Sequence, residues 1–156
     1  MAVNVQILLI EDDAPFRRSL ENFLRRAGYR FDSCATAREA IQLAATRDYS
    51  LVILEYHLPD ANGVDLINRL RALQAPIHAL ILSVYDYDTV AKEFQTDRHA
   101  LFLKKPFDPG DFEWLLNSLF REQNLVLPNL NRKADPEWPE MLAPIPRLRD
   151  SRGVLN

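Results

Sequence analysis

Short apolar runs that end on polar residues recur along the first two thirds of the chain and alternate with segments of helical periodicity. The runs are Ile7–Ile10, Leu51–Leu54, Ala79–Leu82 and Leu101–Leu103, and a weaker strand pattern covers Tyr29–Ala35. Continuous apolar runs of this length are typical of strands buried on both faces of a parallel sheet. The alternation therefore predicts an α/β fold, with five parallel strands joined by right-handed helical crossovers.

Helical segments follow the five strands, and most carry recognisable start signals. The signals are Asp13 before the first helix, the capping box of Thr36 and Glu39 before the second, Gly63 at the start of the third, and Asp108 with Pro109 before the last. A weaker helical pattern covers about residues 88–96. The third helix should bury Val64, Leu66, Ile67, Leu70 and Leu73, whereas His78 and His99 should be surface or loop residues. Five helices are therefore expected.

Composition narrows the class of protein. Apolar residues make up 47% of the 156 residues and the net charge is −3, which suits a globular core and gives no basic field for nucleic acid. No apolar stretch is long enough to cross a membrane, and no signal peptide precedes the first strand. The single cysteine, Cys34, excludes an internal disulfide and is expected to be buried. We expect a cytoplasmic protein that binds neither membranes nor nucleic acid directly.

The composition changes near residue 121. Five of the ten prolines lie beyond this point, together with six basic and five acidic residues. Because prolines this frequent interrupt a helix, we predict a compact domain over residues 1–122 and an extended Pro-rich tail over residues 123–156. The tail is interpreted either as a linker or as a docking peptide with apolar anchors.

Polar side chains follow the predicted strands at their carboxyl ends, where open α/β sheets bind ligands. They are Glu11, Asp12, Glu55, Ser83 and Lys105. Three carboxylates packed together should raise at least one pKa unless a cation lies among them. Oxygen-only ligands favour Mg²⁺, and the hydroxyl and ammonium could complete a cradle for a phosphoryl group. The alternative is that Glu11 and Asp12 merely favour the N-terminus of the first helix.

The pieces ILLIEDD, LVILEYHLPDANG, ALILS and LFLKKPF resemble, in this order and spacing, a response-regulator receiver domain over about residues 4–120. The resemblance implies a doubly wound, flavodoxin-like sheet with strand order 2-1-3-4-5. It implies an acceptor for a phosphoryl group at position 55, bound Mg²⁺ and a functional set of residues, and the longer side chain of Glu55 should make the Mg²⁺ binding weak. That set comprises the metal ligands Glu11, Asp12, Glu55 and the backbone carbonyl of His57, the switch residues Ser83 and Phe102, and Lys105 with a cis bond to Pro106.

Glu55 departs from the aspartate that the family implies at the acceptor position. Glutamate is longer by one methylene, about 1.5 Å, and a displacement of about 1 Å can cost roughly 100-fold in rate. Glu55 could therefore mimic the phosphorylated state in part, or it could mark an inactive site held by a Glu55–Lys105 ion pair. In either case we predict a signalling module without enzymatic activity that is independent of phosphorylation and acts by binding partners.

The resemblance also suggests the partners. A histidine kinase or another signalling protein should bind the face formed by the helix near residues 88–96, the fifth strand and the last helix, and a homodimer is a further option. The alternative function is a phosphorylation-incompetent adaptor, or a truncated N-terminal receiver of a larger regulator.

Overall fold

A computed structural model describes residues 6–74, 77–85, 90 and 100–122 of the chain. Its strands are β1 (Gln6–Ile10), β2 (Arg30–Cys34), β3 (Leu51–Glu55), β4 (His78–Ser83) and β5 (Ala100–Lys104). All neighbouring strands pair in parallel, and their order in the sheet is β2-β1-β3-β4-β5. The predicted α/β fold and its strand order 2-1-3-4-5 are therefore confirmed.

Four helices lie in the described residues: α1 (Ala14–Arg26), α2 (Ala37–Ala44), α3 (Gly63–Leu73) and α4 (Pro109–Glu122). The predicted caps are present, because the side chain of Asp13 accepts from the Phe16 N–H and that of Thr36 accepts from the Glu39 N–H. The predicted helix near residues 88–96 lies outside the described residues except for Val90, which is helical and buried. The tail of residues 123–156 also lies outside them.

The sheet separates two apolar cores. One core packs β1, β3, β4 and β5 against α1 and α4 and includes Phe16, Phe107, Phe112 and Phe120. The other packs the opposite side of the sheet against α2 and α3. Every residue of β3 and of β4 is buried, as expected for central strands covered on both faces. The carboxyl ends of β1, β3 and β4 therefore meet at one edge of a sheet that is covered on both faces.

Two expectations about single residues were wrong, whereas one was confirmed. Leu73 is 52% exposed because it lies at the last position of α3, beyond the part of the helix that packs on the sheet. His78 is buried because it begins β4 and pairs in register with Leu51. Cys34 is buried at the end of β2, as expected. No helix among the described residues is long and apolar enough to cross a membrane.

Candidate functional site

Four residues that follow strand ends lie side by side at the carboxyl edge of the sheet. Glu11 follows β1, Glu55 ends β3, Ser83 ends β4, and Lys105 follows β5. Main-chain bonds fix their spacing, since the Ser83 carbonyl accepts from the Lys105 N–H at 2.7 Å. Glu55 in turn is in register with Leu82, the neighbour of Ser83. The topology thus brings residues that are far apart in sequence to one place, as the strand pattern predicted.

The ammonium of Lys105 bridges the two glutamates. Its Nζ lies 2.6 Å from Glu11 Oε2 and forms a second ion pair with Glu55 Oε2. The side chains of Glu11 and Glu55 are 1% and 8% exposed, and that of Lys105 is 14% exposed. Two carboxylates and one ammonium therefore form a nearly dry cluster, and the ion pair of Glu55 with Lys105 hypothesised from the sequence is present.

Backbone donors occupy the other oxygen of each carboxylate. Glu11 Oε1 accepts from the Asp13 N–H at 3.0 Å, and Glu55 Oε1 accepts from the His57 N–H at 3.1 Å. Buried carboxylates need such partners, because an unpaired charge in the interior is costly. Each of the four oxygens thus has a donor, which fixes both side chains in position.

Burial raises the pKa of Glu11 to about 7, although Lys105 and the Asp13 N–H oppose the shift. The main cause is burial and not the expected repulsion between acids, since Glu55 contributes least and the Lys105 ammonium lies between the carboxylates. Burial would lower the pKa of Lys105, but the charges and hydrogen bonds of Glu11 and Glu55 outweigh it and raise that pKa above its ordinary value. With both glutamates ionised, the cluster carries a net charge of −1, so the proton that Glu11 binds near neutral pH would neutralise it.

Lys105 also lies on an aromatic ring that could not be assigned to the site from the sequence. Its Nζ is 4.3 Å from the ring centroid of Phe16, a distance that gives a cation–π interaction. Phe16 lies in the first turn of α1 and is buried. The spacing of helix residues places it inward, but only the packing of α1 on the sheet brings it to Lys105.

The remaining predicted site residues lie outside the ion-pair cluster of Glu11, Glu55 and Lys105. The hydroxyl of Ser83 is buried and accepts from the Tyr85 N–H at 3.0 Å. Phe102 is partly buried and packs against the core on the α2 and α3 side. Asp12 is exposed and forms no ion pair with any residue of the described ranges. The bond from Lys105 to Pro106 is cis, as the resemblance implied.

The predicted metal ligands do not come together as a set of metal-binding side chains. Within residues 6–74, 77–85, 90 and 100–122, no group of three His, Cys, Asp or Glu side chains could hold a metal ion. The oxygens of Glu11 and Glu55 point to Lys105 and to backbone N–H groups, while the side chain of Asp12 is exposed. Because the ammonium lies between the two carboxylates, a divalent cation would have to compete with it for their oxygens.

Two features of the rim were missed in the sequence. The rings of Tyr56, His57 and Tyr85 lie 5.4–6.4 Å apart, and His57 and Tyr85 are exposed. The carboxylate of Asp60 accepts from the first two N–H groups of α2, those of Ala37 and Arg38, at 2.9 and 3.0 Å. Asp60 thus ties the loop after β3 to α2. Nothing in the sequence identifies the partner of Asp60, which lies 23 residues away.

Comparisons with known proteins agree with this geometry. The family model described as response regulator receiver domain matches residues 7–117. The cell cycle transcriptional regulator CtrA of Caulobacter vibrioides is 31% identical over 118 residues, which are 75% of this chain and 51% of CtrA. The transcriptional regulatory protein CrdR of Helicobacter pylori is 26% identical over 129 residues, 80% of this chain and 60% of CrdR. The chain therefore spans about half the length of the first of these curated relatives.

Solved structures are similar over the same region. A CheY-like response regulator receiver domain from Methylobacillus flagellatus is 26% identical with a TM-score of 0.66, and covers 75% of this chain and 99% of its own. A response regulator receiver protein from Pseudomonas putida is 25% identical with a TM-score of 0.67, and covers 76% and 99%. From the matched family model and the shared fold, we conclude that this chain belongs to the family of response regulator receiver domains.

Proposed function

We propose that this receiver domain signals by binding partner proteins and does not accept a phosphoryl group appreciably, because Glu55 stands at the acceptor position. Receiver domains are typically non-enzymatic signalling modules of two-component systems, and they interact with histidine kinases. The observation that carries the proposal is the buried bridge from Lys105 to Glu11 and Glu55.

The bridge supports the proposal in two ways. The oxygens of Glu55 are engaged by Lys105 and by the His57 N–H, so neither is free to attack a phosphorus atom without breaking a buried contact. The longer side chain also displaces the carboxylate relative to an aspartate, and such misplacement is costly for an in-line reaction.

The same bridge favours a partial resemblance to the phosphorylated state. Glu55 places one negative charge beside Lys105, where a phosphoryl group would carry about two. A ligand shifts a conformational equilibrium only by its differential interaction with the two states. Glu55 should therefore bias Ser83 and Phe102 toward the active arrangement less strongly than phosphorylation biases an ordinary receiver domain.

Receiver domains commonly bind Mg²⁺. For this chain we propose only weak binding through Glu11, Asp12, Glu55 and the backbone carbonyl of His57. Mg²⁺ demands nearly octahedral oxygen coordination, and here it must displace an ammonium from two of the carboxylates.

The partner surface that we propose is the face formed by the segment near residues 88–96, β5 and α4. A histidine kinase or a downstream signalling protein would bind there, and a homodimer could use the same face. We place the protein in the cytoplasm, where the kinase domains of two-component systems act.

A second candidate is the N-terminal receiver of a longer transcriptional regulator. It is favoured by the relation to CtrA, of which this chain spans about half. In that case the output would come from a domain that follows the tail, and Glu55 would set the activity of that domain.

The test is phosphorylation by acetyl phosphate in the presence of Mg²⁺, followed by intact mass. We expect no gain of about 80 Da, the mass of one phosphoryl group, for the parent chain, and a gain for Glu55→Asp. Glu39→Asp makes the same chemical change on the exposed side of α2 and should behave as the parent. Equal modification of the parent and of Glu55→Asp would contradict the proposal. If Glu55→Asp also stays unmodified, the glutamate at position 55 is not the only feature that prevents phosphorylation.

A further inference from the structure

We propose that the acidic stretch of the C-terminal segment, with Asp135, Glu137 and Glu140, docks into an arginine-lined cleft beside the β2 edge of the sheet. The proposal assigns an intramolecular partner to a surface that the receiver function does not use. It does not depend on the role of Glu55, because the cleft lies away from the site at the carboxyl edge.

The cleft has a volume of about 980 Å³, and its lining includes Arg25, Arg30 and Arg47 together with the acidic residues Asp32 and Asp48. Phe31 and Asp32 of this lining belong to the edge strand β2. β2 is the first strand in the order of the sheet and pairs with β1, so its other edge has no strand among the described residues. An extended segment could therefore lie along it.

Two of the three guanidinium groups are without a carboxylate partner within the described part of the chain. Arg47 is paired with Asp32 at 2.8 Å. Arg25 donates to Asn22 Oδ1 at 3.0 Å and lies 5.7 Å from the ring centroid of Phe31, whereas Arg30 is exposed. Guanidinium groups bind carboxylates in a bidentate manner, so Arg25 and Arg30 are suited to an acidic segment.

The end of α4 brings the C-terminal segment close to this cleft. Phe120, in the last turns of α4, stacks on Tyr29 with 5.3 Å between ring centroids, and Tyr29 belongs to the lining of the cleft. Asp135 follows Glu122, the last residue of α4, by 13 residues, which span up to about 45 Å when extended. A tether of this length keeps the effective concentration of the segment high, roughly in the millimolar range.

The acidic stretch carries three negative charges, which are opposite in sign to the net charge of +1 from the three arginines and two aspartates of the cleft. Asp135, Glu137 and Glu140 fall within six residues that contain no basic residue. Proline limits the φ angle, so Pro136 and Pro139 lower the entropy that the segment loses on docking. Trp138 lies between the acids and offers a ring on which a guanidinium can stack.

The experiment uses the full chain with a nitroxide attached to the Met141→Cys variant. Burial raises the pKa of the Cys34 thiol to about 12, so only the new thiol should react under native conditions. We expect loss of the amide signals of Arg25 and of residues 30–34 in β2, which reduction of the nitroxide restores. The signal loss should disappear when Asp135→Asn, Glu137→Gln and Glu140→Gln are combined.

Matched charge reversals test the cleft itself. Arg30→Glu should abolish the signal loss, whereas Arg69→Glu, on the exposed side of α3, should leave it unchanged. Adding Glu137→Arg to Arg30→Glu should restore it in part. Signal loss that is absent in the parent, or that persists in the neutralised tail, would overturn the proposal. So would loss only in a mixture of isotope-labelled and spin-labelled chains, because the occupant would then be a second copy.

Discussion

Replacing Lys105 by methionine should destabilise the protein strongly at alkaline pH. Methionine keeps an unbranched side chain that can pack on Phe16 but removes the ammonium shared by Glu11 and Glu55. Removing one partner from a buried ion pair typically costs about 3–5 kcal/mol, because a buried charge is left without compensation. Here two carboxylates lose the same partner, so we expect a loss at the upper end of this range at pH 8.

The loss should shrink as the pH is lowered. The pKa of Glu11 is already raised to about 7 by burial, and it must rise further when the ammonium is gone. A carboxyl group with a raised pKa contributes stability that is present below its unfolded pKa of 4.5 and is lost as the pH rises through its folded pKa. At pH 5 the folded variant can hold a proton in the cluster, and part of the cost is thereby avoided.

Urea unfolding at pH 5 and pH 8 measures both effects. Adding Glu11→Gln to Lys105→Met should recover stability at pH 8, because it removes one of the two buried charges. Arg69→Met serves as the control, since Arg69 is exposed on α3. A loss for Lys105→Met that equals the control, or one that is the same at both pH values, would refute the reasoning from the buried bridge.

Three further outcomes are expected. Glu11→Gln should flatten the pH dependence of the free energy of unfolding between about pH 4.5 and 7. Over this range the parent loses up to roughly 1.4 kcal/mol per pH unit, because Glu11 gives up its proton. Urea midpoints that vary with pH as in the parent would contradict this. Asp60→Ala should lower the free energy of unfolding by about 1 kcal/mol, because it removes the cap on the N–H groups of Ala37 and Arg38. The control Asn68→Ala, on the exposed face of α3, should cost little. Equal losses in the two variants would show that the cap is dispensable. Mg²⁺ should shift the amide signals of Glu11, Asp12 and His57 only at high concentration, and no shift at about tens of millimolar would argue against a metal site at all.

The fold could be predicted from the sequence because its signals are local and repeated. The apolar runs and the caps Asp13, Thr36 and Asp108 each specify one element, and parallel strands need the crossovers that the helices supply. The errors arose at the ends of helices and strands, where the local sequence pattern is least informative about burial. Leu73 fits the helical period but lies in the last turn of α3, and His78 begins a central strand.

The site could be predicted only as a set of residues at one edge. Strand ends placed Glu11, Glu55, Ser83 and Lys105 there, but the sequence could not say how one ammonium is shared between two acids. That choice depends on side-chain rotamers and on the Phe16 ring below the lysine. The cap from Asp60 to α2 was unpredictable for a similar reason, because it joins a loop to a helix that only the fold brings together.

The bridge itself can be observed most directly by NMR of the Lys105 ammonium. A buried, hydrogen-bonded ammonium exchanges its protons slowly with water, and its nitrogen couples through the hydrogen bonds to the carboxyl carbons of its partners. In the parent chain we expect correlations from Lys105 Nζ to the carboxyl groups of both Glu11 and Glu55. A correlation to Glu11 alone, or an ammonium in fast exchange with water, would contradict the claim that Lys105 holds Glu55 in place.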